Sequence, residues 1–100
     1  MAVVISQDIK IPRADLEAVS ESMGVRDNPP DGLILHLLTD VPEGVHVTDV
    51  WESAAQFQKF LDEQLMPGMQ KVMAERGISV DESALPQPSF EEAYDIVRGR

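Results

Sequence analysis

His36 stands inside an otherwise apolar run, residues 33–38, and an imidazole there can both take and give a proton near neutral pH. It is the candidate general base or orienting group of the chain. The same position also suits a histidine that is simply satisfied across the sheet by a partner such as Thr48. Asp49 is a carboxylate in an apolar strand, so it must pair or lie at a rim. An arginine is its expected structural partner, with a catalytic role as the alternative. His46 follows a turn and is expected to point to solvent. Thr48, Trp51, Phe57, Phe60 and Tyr94 are the candidate substrate-binding residues, Thr48 as the partner of His36 and the aromatics as walls. Phe57 and Phe60 form a stripe with Met66, Met69 and Met73 that either lines an apolar pocket or fills a core. The two histidines with Asp49 or Glu52 match no metal-ligand spacing, and no nucleophile elbow, phosphate loop or dinucleotide fingerprint occurs. No metal and no cofactor is expected.

These residues are positioned by residues 32–60, which read as two strands and a helix. Residues 33–38 form the first strand, Val41-Pro42-Glu43-Gly44 the turn, and the β-branched and aromatic residues 45–51 the second strand. Pro suits the second position of a type I turn and Gly44 a positive φ just after it, which predicts a three-residue loop with a bulge. Val41 would then face Val45. That parity places Leu33, Leu35, Leu37, Val45, Val47, Asp49 and Trp51 on one face, and Ile34, His36, Leu38, His46, Thr48, Val50 and Glu52 on the other. It separates Asp49 from both histidines. Neither face is polar along its length, so each must be covered.

One hundred residues, 43% of them hydrophobic, make one domain over residues 1–100 with a modest core. The formal charge of −10 repels phosphate backbones and anionic lipid, so neither nucleic acid nor a membrane surface is an expected partner. Without cysteine there are no disulfides and no thiolate chemistry. The short apolar start of the chain lacks the basic flank of a signal peptide, and no run reaches the ~20 residues of a membrane span. The expected location is the cytoplasm.

Residues 2–7 read as a first strand, and residues 11–23 as a helix with Pro12 at its start and Gly24 at its stop. Pro29 and Pro30 make the following stretch a rigid connector. Ser53 with Gln56 forms a capping-box pattern at the head of a helix that Pro67 should end or kink near Leu65, and Gly77 closes the segment that resumes. Residues 78–88 read as a loop. Residues 89–97 alternate as a strand would, through Phe90, Glu92, Tyr94 and Ile96, and a capping-box pattern over residues 89–92 allows a helix instead; the strand closes the fold. The order is then βαββαβ, an α+β ferredoxin-like arrangement with two helices on one face of a four-stranded antiparallel sheet. Two helices cover one face. The other requires a second copy, since each large apolar side chain left in water forfeits roughly 1.5–3 kcal/mol.

The stretch from Asp49 to Leu61 carries a further signal: Val50-Trp51-Glu52-Ser53 ends a strand, Phe57 follows, and Phe60-Leu61 comes one turn later. This resembles the antibiotic-biosynthesis monooxygenase superfamily of dimeric α/β barrels. The resemblance implies a homodimer in which two sheets pack face to face. It implies one of several activities, among them cofactor-free oxygenation of polycyclic aromatics, haem degradation, isomerisation and cyclisation, or none at all. In the haem-degrading branch a Trp stands at the place of Phe60 and a haem-ligating His at the place of Gln70. Gln is not an axial ligand to haem iron, which argues against that branch. The expectation is therefore a homodimer whose pocket, between the sheet and the helices of residues 53–76, takes an apolar or aromatic small molecule for cofactor-free oxygenase, isomerase or cyclase chemistry. The rival is a non-catalytic binding or interaction module with a solid interior.

Overall fold

The computed structural model describes residues 1–78 and 88–99. Strand β1 (Val3–Ile9) leads into helix α1 (Arg13–Met23), then β2 (Leu33–Val41), β3 (Gly44–Trp51), helix α2 (Ala54–Phe60), a π-helical turn (Leu61–Leu65), helix α3 (Met66–Arg76) and β4 (Ser89–Glu92). The four strands form one antiparallel sheet in the order β2-β3-β1-β4, and the helices pack on one face, as in ferredoxin-like α+β folds. Residues 79–87, most of the expected loop, lie outside the described residues. The closing strand is shorter than the alternation suggested, ending at Glu92.

Alternation sets the covered face. Val3, Ile5, Gln7 and Ile9 on β1, and Val45, Val47, Asp49 and Trp51 on β3, are all buried while their neighbours are not. β1 therefore runs two residues beyond the polar pair Gln7-Asp8 that looked like its boundary. Two apolar clusters form on this face. Ile9, Ile11, Val45 and Val47 pack with Leu16 and Val19 of α1 and Met69, Val72 and Met73 of α3. Val3, Ile5 and Trp51 pack with Phe57, flanked by Leu33, Phe60 and Leu61. Of the methionine stripe, Met69 and Met73 thus belong to the core.

The hairpin corrects the expected register. Val41 pairs with Gly44, so the loop is the two residues Pro42-Glu43, and every pair beyond it shifts by one: His36 faces Asp49, Leu37 faces Thr48 and Leu38 faces Val47. His36 and Leu38 join Asp49 and Val47 on the covered face, whereas Leu35 and Leu37 join Thr48 on the open one. Gly44 does not have a positive φ; a Cβ there would lie 2.1 Å from the carbonyl oxygen of Ile9, so it is close passage of β1 that requires glycine. The bulge sits at the other end of β2, where Leu33 faces Trp51 and Leu35 faces Val50. Ile34 is the extra residue, and it returns Leu33 to the covered face.

The helix signals act as expected. Gly24 and Gly77 end their helices in the left-handed conformation. The Ser53 hydroxyl oxygen accepts from the Gln56 backbone N–H and donates to the Gln56 side chain. Pro67 has no N–H for the carbonyl four residues back, and the chain passes it through the π turn, with the Met66 N–H reaching Leu61. Asp15, buried in the first turn of α1, binds Arg76 in the last turn of α3, each charge at the helix end that favours it.

Candidate functional site

A cavity of about 460 Å³ opens between the covered sheet face and the helices, in the range of small-molecule sites. Its floor is the middle of the sheet, with Gln7 and Ile9 from β1, Leu33, His36 and Leu38 from β2, and Val47, Asp49 and Trp51 from β3. Leu16, Val19, Ser20 and Met23 of α1 form one wall, Phe57, Phe60 and Leu65 another, and the connector closes it with Val25, Arg26, Pro29 and Pro30. The pocket therefore lies beneath α1 and the connector as much as beneath the helices of residues 53–76. It occupies the gap between the two apolar clusters, where the buried row on β1 turns polar at Gln7 and that on β3 at Asp49.

The polar groups form a directed chain. His36 Nδ1 donates to Asp49 Oδ1 at 2.6 Å, and the other oxygen of Asp49 accepts from the Trp51 indole N–H at 3.1 Å. Asp49 is fully acceptor, held from both sides, and its side chain is 6% exposed against 40% for His36. With Nδ1 engaged, the Nε2 of His36 is the nitrogen left to act. Trp51 also carries aromatic packing, its ring centroid 5.6 Å from Phe57 and 5.4 Å from Phe60.

Four of the residues expected at the site, His36, Trp51, Phe57 and Phe60, meet in this cavity. Two do not. Thr48 faces Leu37 and Ser6 on the open face, so it cannot partner His36, and Tyr94 is fully exposed beyond the end of β4. The partner is Asp49, which pairs with a histidine and a tryptophan rather than an arginine. The one-residue error in loop length hid this, since it put His36 and Asp49 on opposite faces. Two of the same residues meet, yet no set of three His, Asp or Glu side chains suited to a metal occurs among the described residues. Gln7 and Arg26 were also missed; the alternation Val3, Ile5, Gln7, Ile9 was the signal for the first. A smaller groove of about 210 Å³ adjoins the cavity and shares Leu16, Arg26 and Leu38 with it. There Arg13 hydrogen bonds Glu17, which with the nearby Asp40 charge raises its pKa above the ordinary guanidinium value.

No protein-family model matches this sequence, and no curated protein matches it. Solved structures do. A Chloroflexus aurantiacus protein named for antibiotic biosynthesis monooxygenases superposes with a TM-score of 0.58 at 15% identity, covering 100% of this chain and 97% of its own. The fold is that of the antibiotic-biosynthesis monooxygenase-like proteins. Rv0793 from Mycobacterium tuberculosis is similar at TM-score 0.57 and 16% identity, over 97% of this chain and 98% of its own. SnoaB, described as a cofactor-independent oxygenase from Streptomyces nogalater, is similar at TM-score 0.56 and 16% identity, over 96% of this chain and 94% of its own. These likenesses bear out the fold expected from residues 49–61. No helix among the described residues is long and apolar enough to cross a membrane.

Proposed function

We propose that the cavity takes up an apolar or aromatic small molecule and that His36, oriented by Asp49, moves a proton on it in a cofactor-free oxygenase, isomerase or cyclase reaction. The observation that carries this reading is the His36–Asp49–Trp51 chain at the floor of an otherwise apolar cavity. Asp49 holds the imidazole in one tautomer, and Nε2 takes a proton from an acidified O–H or C–H of the bound molecule. The imidazolium so formed stays beside a carboxylate, and returning the proton to another atom completes an isomerisation or cyclisation; in an oxygenase the carbanion meets dioxygen instead. SnoaB, with the same fold, is a cofactor-independent oxygenase, which favours this class. Incubation with a panel of bicyclic and tricyclic phenols, followed by absorbance and dioxygen uptake, should reveal turnover. His36→Ala should lower it roughly 10²–10⁴-fold. Equal turnover by His36→Ala would remove the histidine from the mechanism.

The working form is a homodimer on this reading. The open face carries Leu35 and Leu37, 51% and 48% exposed, with Val4, Thr48 and Val50 half-buried beside them. A second copy is the natural cover for such a patch. Native mass spectrometry reports subunit number and any carried ligand together. Leu37→Asp should shift the dimer to monomer, and a wild-type monomer at working concentration would refute the dimer.

A further inference from the structure

Resting on the reading of the cavity as a binding site, we infer that Gln7 is a ligand-binding residue that selects molecules carrying a hydroxyl or N–H donor beside their apolar body. Gln7 lies mid-strand on β1, between Ile5 and Ile9 on the covered face and opposite Val47, and it is 6% exposed. It lines the cavity, yet its Oε1 is shut away from solvent and accepts no hydrogen bond from the described residues. Among those residues no other buried side-chain oxygen or nitrogen is left in this state. The contrast with its neighbour is direct: Asp49, equally buried in the same floor, has both oxygens engaged. A buried amide oxygen without a donor is a standing loss of stability that a methionine of similar length would avoid. The terminal torsion of glutamine is broad and two-fold, so the amide can turn its oxygen to the cavity when a donor arrives. The ligand then places that donor at Gln7, which sets its orientation relative to His36 on the adjoining part of the floor.

The test uses the single tryptophan, Trp51, whose fluorescence reports occupancy of the cavity. The full chain and Gln7→Met are titrated with 2-naphthol, 2-methoxynaphthalene and naphthalene, and both proteins are melted without ligand. The wild type should bind the naphthol roughly tenfold tighter than its methyl ether. Gln7→Met should bind both alike, keep the ether within about twofold of the wild type, and melt no lower than the wild type. A preference for the naphthol that outlasts Gln7→Met would overturn the inference, and so would a lower melting point with unchanged discrimination, which marks a structural amide. If the wild type binds all three probes equally, the cavity reading stands and the role of Gln7 falls. If none of the three binds, the cavity reading fails and takes the inference with it.

Discussion

The protein carries the same pair of side chains twice, once on each face of its sheet. His36 Nδ1 meets Asp49, and His46 Nδ1 meets Asp8, each at 2.6 Å. Their surroundings differ in every other respect. Asp49 is 6% exposed, tied by a second hydrogen bond to Trp51 and set in the floor of an apolar cavity, whereas Asp8 is 65% exposed with no second partner among the described residues. Distance alone does not make a site. An exposed carboxylate exchanges its partner for water at little cost, while an enclosed one must keep its donors, and only the enclosed pair can hold an imidazole in one orientation against a bound molecule.

That contrast can be broken at several levels. With a turned-over substrate in hand, Asp49→Asn should reduce the rate by roughly 10²-fold or more by releasing the tautomer of His36, while Asp8→Asn leaves it within twofold; equal losses would mean that enclosure is irrelevant. In denaturant unfolding, Asp49→Ala should cost about 2–3 kcal/mol, because the indole N–H and the imidazole both lose their acceptor in a closed setting. Ser53→Ala provides an internal scale: the loss of that cap should cost about 1 kcal/mol without touching either pair. Asp8→Ala should change stability by less than about 0.5 kcal/mol. The finest probe is exchange of the Trp51 indole hydrogen followed by NMR. It should be slow in the wild type and in Asp8→Ala, and fast in Asp49→Ala.

The order of strands and helices was legible because its signals are local: Gly24 and Gly77 as stops, Ser53 with Gln56 as a cap, Pro67 as a break in the helix. The resemblance of residues 50–61 added the family of folds. The site was less legible, since it depends on which residue of β2 meets which residue of β3, and that hinges on one residue in the turn. Pro42 suits a turn of either length, and the reason for Gly44 is a carbonyl from Ile9, 35 positions away, that no local pattern announces. Gln7 was passed over for a related reason. A polar residue beside Asp8 looks like the end of a strand until Ile9 is seen to continue it.

The extra residue at Ile34 has an effect beyond turning Leu33 inward. β2 is a border strand, and the amides along its far side have no neighbour in the sheet. A straight border of that kind invites another chain to add itself lengthwise, which is how fibrils begin. The kink throws those amides out of line, so an intruding strand can match only part of the border. The molecule can thus present greasy leucines broadside to a copy of itself while its rim resists endless stacking.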